Sequence, residues 1–363
     1  MQNKNDWIQA LRGIAALMVV FFHLAPHWAL DPLLKTTESL TRWGFSGVDI
    51  FFVLSGYVVY QSADKKTFSL PPFMLRRAMR IYLGYWPVFL LLFVLVFLGQ
   101  PLPDAQKIIT SALLLNPVLW DNWLPTAWSL TYELYFYVWV AIICSFRWLP
   151  RSGTMAIFCV LLLAWNIGWY VLDPVRVHAG LQPLRFALTG MGLEFLAGAA
   201  WAHARKRSPR LQTHPWFLIA IGMALVVAGF SMGTTSHFFD RVEILRAGSY
   251  GLAGFGFLLV ALSLADLHAR APRLLVAVGD ASYSLYLLHP ILLTVFGVLR
   301  FRAIAPDSPW LLPFLLGMPV AMVLASLLWF RWVERPVFDA IANRGNPRHR
   351  AVEHMVLHSK QPP

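Results

Sequence analysis

The stretch WSLTYELYFYVWVAIICSF (Trp128–Phe146) decides the fold, because a single charged side chain, Glu133, stands in an otherwise uncharged and largely apolar run. A run of that length crosses a bilayer core of about 30 Å as an α-helix. Within it Ser129, Glu133 and Tyr137 fall at i, i+4 and i+8, so one polar stripe follows one face of the helix. A carboxylate near the membrane interior costs about 2.5–3.5 kcal/mol by insertion scales, so Glu133 is expected to be partnered, protonated or functional.

The rest of the chain repeats this pattern. Of 363 residues, 58% are hydrophobic and 13% charged. A soluble domain carries about 25% charged residues, so lipid is the main solvent. Apolar runs predict ten spans near 7–25, 45–61, 81–98, 124–146, 154–172, 184–203, 215–232, 245–265, 274–299 and 310–333. The piece 108–120 is too short to cross and reads as interfacial or re-entrant. The fold class is an all-α integral membrane protein, with residues 1–340 as the transmembrane domain and 341–363 as a basic, disordered tail. Lys4 and Arg12 precede the first apolar run as in a signal peptide. No small-residue cleavage site follows, and His23 interrupts the end of the run, so the span is expected to be retained.

The net charge of +12 is spread over short loops rather than gathered in one domain, which argues against nucleic acid as a partner. Residues 62–80 carry Lys65, Lys66, Arg76, Arg77 and Arg80. Residues 204–214 carry Arg205, Lys206, Arg207 and Arg210, and the tail adds further arginines. These loops fall on one side, so the positive-inside bias places both termini in the cytoplasm of a multi-pass protein. The two cysteines, Cys144 and Cys159, lie in apolar segments with no metal-ligand spacing, so no metal is expected. No internal repeat stands out, which weakens a transporter built from inverted repeats.

Other polar residues recur at matching depths. Arg12 and His23 share nearly one helix face and are separated by about 16 Å along the axis. An imidazole so deep either lines a cavity or caps the helix end, and it exchanges a proton near neutral pH. Asp49, in GVDIFFVLSGY (Gly47–Tyr57), either favours a helix dipole or belongs to a site. Arg76, Arg77 and Arg80 are a topology signal and equally an anion site, since guanidinium groups bind phosphates with paired hydrogen bonds. In SYSLYLLH (Ser282–His289), Ser282, Tyr286 and His289 fall within about 60° around the helix. His289 reaches a depth similar to that of His23. Glu334 and Arg335 read as a helix-end anchor, and Glu194 has no assigned role.

Together these motifs resemble the integral-membrane acyltransferase family 3, which includes sugar O-acetyltransferases of bacterial envelopes. The resemblance rests on Arg12 and His23, Gly47–Tyr57, Arg77-Ala78-Met79-Arg80, Trp128-Ser129-Leu130 with Glu133, Phe136 and Tyr137, Ser282–His289, and Glu334-Arg335-Pro336. They occur in family order from residue 7 to about 338. Leu83 stands where the family usually has proline, and the chain reads as the membrane unit without an appended hydrolase-like domain.

The resemblance implies an O-acyltransferase of the bacterial inner membrane. It would move an acetyl group from cytoplasmic acetyl-CoA, used as a substrate rather than a resident cofactor, to an outer-side carbohydrate. Arg12, Arg76, Arg77 and Arg80 would hold the coenzyme's phosphates. His23 would act as general base or transient acyl acceptor, oriented by Asp49 or Glu133. Trp128, Ser129, Tyr137, Ser282, Tyr286 and His289 would bind the acceptor or stabilise the oxyanion. Two other readings of the same buried groups are a proton-coupled transporter of an envelope precursor and an assembly subunit of a polysaccharide-export complex.

Overall fold

A computed structural model describes residues 5–37, 41–65, 68–99, 102–116, 122–146, 148–172, 188–233, 243–305 and 308–344. Every regular element among them is helical. In chain order the helices of eight residues or more are α1 (Asp6–Trp28), α2 (Gly47–Ala63), α3 (Leu70–Phe97), α4 (Ala105–Ala112), α5 (Ala127–Ser145), α6 (Arg151–Leu172), α7 (Met191–Arg207), α8 (Pro215–Met232), α9 (Glu243–Asp266), α10 (Arg273–Asp280), α11 (Ser282–Ala303), α12 (Leu311–Trp329) and α13 (Arg335–Arg344). Among the described residues, eight segments are long and apolar enough to cross a membrane. Helices α2 and α7, at 17 residues each, are shorter and pack against each other at the centre.

Burial sorts the helices into inner and outer. α8 buries only Leu218, Gly222, Val226 and Gly229, one stripe facing α9, and exposes Trp216, Phe217 and Val227. α3 likewise exposes Leu90, Val94 and Phe97. In water such surfaces would drive aggregation; in a bilayer they are the lipid face. At the centre, packing depends on missing side chains. Gly56 of α2 lies on the carbonyl of Phe195 and Gly198 of α7 on the carbonyl of Val53, so a Cβ at either position would overlap that oxygen. Lipid supplies no hydrophobic drive between helices, and this close backbone approach supplies dispersion contact instead.

Three boundaries differ from the sequence reading. α3 begins at Leu70, not near 81, with Ser69 extended before it and prolines in its first turn. Pro71 and Pro72 are pre-set for a helix start, where their missing N–H groups go unneeded. Arg76, Arg77 and Arg80 are therefore helical rather than in a loop. The predicted ninth span is two helices, α10 and α11, broken at Ala281. Gly279 at the end of α10 sits directly on the backbone of Gln9 in α1, which fixes α10 against α1 while α11 departs. The last span continues past Trp329 through a π-helical turn, Phe330–Glu334, into α13.

The short piece near 108–120 contains α4, strapped to α3 by three side chains. Tyr82 and Tyr85 donate to the carbonyls of Leu113 and Ser111 at 2.7 and 2.9 Å, and the Trp86 indole to that of Ala112 at 3.0 Å. The start of the predicted 184–203 span and the tail from 345 onward lie outside the described residues.

Candidate active site

Five helices, α1, α2, α3, α5 and α11, enclose a cavity of about 200 Å³. At one end are the guanidinium groups of Arg12, Arg77 and Arg80 with Glu133, Tyr137 and Ser282; towards the other are Phe51, Ser129 and Tyr286. α5 runs opposite to α11, so Ser129, at the start of α5, meets Tyr286 near the middle of the bundle. Their hydroxyls are 2.8 Å apart.

The arginine end is held by carboxylates. Glu133 accepts from Tyr137 Oη at 2.5 Å and from Ser55 Oγ at 3.1 Å, both on Oε1. Tyr137 is the i+4 partner of Glu133 on α5, the stripe visible in the sequence. Arg77 donates to Ser62 Oγ and lies 5.7 Å from the Tyr137 ring centre. Arg80 pairs with Glu334 at 3.2 Å, and Glu334, only 1% exposed on its side chain, also accepts from Ser284 Oγ. Arg12 lies within electrostatic reach of Arg80, Glu133 and Glu334 but makes no hydrogen bond or ion pair among the described residues. Three cations against two carboxylates leave a net positive end with an uncommitted guanidinium, which suits an anion.

Beyond the cavity lie two histidines. The Tyr286 ring is 5.9 Å from His289, and the His289 ring 4.9 Å from His23. His23 Nδ1 is 2.8 Å from the carbonyl of Val19, and His289 Nδ1 is 3.2 Å from that of Leu285. A carbonyl only accepts, so each neutral ring carries its proton on Nδ1 and presents a lone pair at Nε2. His289 is fully buried, and its Nε2 has no hydrogen-bond partner; His23 is exposed. A site assembled this way can attract an anion at one end and accept a proton at the other.

Arg12, Arg77, Arg80, Glu133, Tyr137, Ser129, Ser282 and Tyr286 all line the one cavity, with His289 and His23 behind it. Arg76 does not line it: about 100° around the helix from Arg77, it is exposed on the outside of α3. Trp128 is buried edge-on against Phe52 and Tyr132 rather than in the cavity. Asp49 forms a buried two-bond pair with Arg246, at 2.7 and 2.8 Å. Neither Asp49 nor Glu133 contacts the His23 ring; the Val19 carbonyl orients it instead.

Sequence reasoning missed Arg246 as the partner of Asp49, and Glu334 as the residue that clamps Arg80. Both stand at the edge of an apolar run, Arg246 at the start of the predicted 245–265 span and Glu334 just past the end of 310–333, where a charge reads as a helix-end residue.

Fold and site together are those of a multi-pass helical membrane protein with an anion-attracting cavity that ends just short of two imidazoles. Comparison makes the class specific: the chain belongs to the acyltransferase-domain family, whose model matches residues 5–330. It is 24% identical to the peptidoglycan O-acetyltransferase OatA of Listeria monocytogenes over 91% of this chain and 55% of that protein. It is 27% identical to the exopolysaccharide production protein ExoZ of Rhizobium meliloti over 69% of this chain and 77% of that protein. The O-acetyltransferase OatA of Staphylococcus aureus is 23% identical over 91% of this chain and 56% of its own length. The chain thus spans about half the length of the two OatA relatives. No solved structure matches it.

Proposed function

We propose that this acyltransferase moves an acetyl group from cytoplasmic acetyl-CoA to a hydroxyl of an extracytoplasmic or lipid-linked carbohydrate, such as exopolysaccharide or O-antigen. The observation that carries the reading is the cavity itself: guanidinium groups at one end, and two imidazoles with Nε2 lone pairs just beyond the other. The names of the relatives, O-acetyltransferases and an exopolysaccharide production protein, support the carbohydrate acceptor. In this reading ten spans, α2 and α7 included, cross the inner membrane, and the arginine end and both termini face the cytoplasm. That orientation follows the basic loops.

Arg12, Arg77 and Arg80 bind the phosphates of the donor, and the acetyl-bearing arm extends along Ser129 and Tyr286. The acceptor reaches His23 from its exposed side. Its hydroxyl oxygen attacks the thioester carbonyl carbon while His23 Nε2 takes the hydroxyl proton. The carbon–sulfur bond then breaks, and the departing coenzyme A thiolate is protonated, so ester and free thiol are the products.

Such base catalysis is worth about 10²–10⁴-fold. The test is purified protein in lipid, given labelled acetyl-CoA and a panel of envelope glycans, beside His23→Ala. Label on a glycan that falls at least about a hundredfold in the variant supports the assignment. Equal transfer by both removes His23 from the chemistry.

A further inference from the structure

The cavity stops one side chain short of the histidines. Tyr286 lines its inner end, while neither His289 nor His23 does, although the Tyr286 ring is 5.9 Å from His289. Two contacts hold Tyr286 across the opening: the hydrogen bond to Ser129 at 2.8 Å, and the edge of Phe51 at 6.1 Å. Ser129 is itself anchored, donating to the carbonyl of Thr126 at 3.1 Å. Behind this barrier His289 is fully buried with a lone pair unanswered at Nε2, a group that favours contact with a donor or reacting ligand. His23, next in line, is exposed. A continuous opening here would connect the two faces of the protein, so the barrier separates them and lies on the shortest route from the arginines to the imidazoles.

We propose that Tyr286, latched by Ser129, is the gate between the arginine-lined cavity and the histidine pair, and that its ring sets the largest acyl group the enzyme transfers. This rests on the acyl-CoA reading for its second half only. When the latch opens, the Tyr286 ring swings from the axis of the cavity and a small acyl group passes. Each added methylene must displace more of Tyr286 and Phe51, and discrimination per methylene in such pockets is about 10–200-fold.

Two measurements test it. In the first, consumption of acetyl-CoA and butyryl-CoA is compared for the parent, Tyr286→Ala and Ser129→Ala. The parent prefers acetyl, Tyr286→Ala raises the butyryl-to-acetyl ratio at least about tenfold, and Ser129→Ala shifts it in the same direction by less. In the second, His289→Cys is made in a background of Cys144→Ala and Cys159→Ala. Inside-out vesicles are then treated with the anionic thiol reagent 2-sulfonatoethyl methanethiosulfonate. The added thiol is protected with Tyr286 in place and labelled when Tyr286→Ala or Ser129→Ala is added. Ser129→Ala removes only the latch, so it serves if Tyr286→Ala fails to fold.

Equal labelling with and without Tyr286 overturns the gate, whatever the enzyme does with acetyl-CoA. An unchanged chain-length ratio in folded Tyr286→Ala overturns the size filter. Labelling that depends on Tyr286, in a parent that consumes no acyl-CoA, supports the gate and removes the donor reading.

Discussion

At the scale of single residues, the buried ions separate into structural and functional groups by what they touch. Asp49 and Arg246 satisfy each other with two hydrogen bonds and do not line the arginine cavity. Removing one partner strands a buried charge, so Arg246→Ala is expected to cost about 3–5 kcal/mol of stability, read by thermal unfolding in detergent. Asp49→Asn with Arg246→Gln removes both charges and is expected to cost less than either single change. Glu133, by contrast, faces the cavity with Tyr137 and Ser55 on one oxygen. Glu133→Gln is expected to keep the fold and lower turnover at least about tenfold, measured as thioester consumption per folded enzyme. A loss confined to stability would make Glu133 a second structural ion. The sequence marked Glu133, Tyr137 and Ser129 because i, i+4 spacing is local. It left Asp49 between two readings, because its partner is 197 positions away and no spacing connects them.

At the scale of elements, what the sequence showed depended on whether a helix was bounded by its own residues or by a neighbour. α5 and α8 follow from apolar length alone. The start of α3 was misplaced because hydropathy rises only after Arg80, whereas the helix is set by Pro71 and Pro72. Next to the break between α10 and α11, Gly279 lies against the backbone of Gln9 in another helix, a contact that no local pattern records. The break also aims the start of α11 at the cavity, with Ser282 and Tyr283 on its wall and Ser284 on Glu334. Glu334→Gln is expected to loosen Arg80 and raise KM for the acyl donor several-fold with a smaller change in kcat, read in steady-state assays. An unchanged KM would show that Arg80 is held without Glu334. Gly198→Leu drives a side chain into the carbonyl of Val53 and is expected to cost at least about 1–3 kcal/mol.

At the scale of the whole molecule, the polar groups form one file through an apolar bundle. It begins at Arg12, Arg77 and Arg80, passes Glu133 and the Ser129–Tyr286 latch, and ends at His289 and His23. Fold class was readable from composition, and most of the file from polar residues recurring in apolar runs. The sequence could not show Arg76 falling on the outside of α3, since that depends on which face the helix turns to its neighbours. In the proposed reaction the donor is taken up at the arginine end of this file and the acceptor is served at the histidine end. The most direct measurement uses sealed membrane vesicles of the two orientations from cells producing the protein, with labelled acetyl-CoA supplied outside. The account predicts label in vesicle-bound carbohydrate from inside-out vesicles, absent with His23→Ala and much reduced with Arg77→Ala and Arg80→Ala together. Equal incorporation by intact right-side-out vesicles, or transfer indifferent to the arginines, would contradict it.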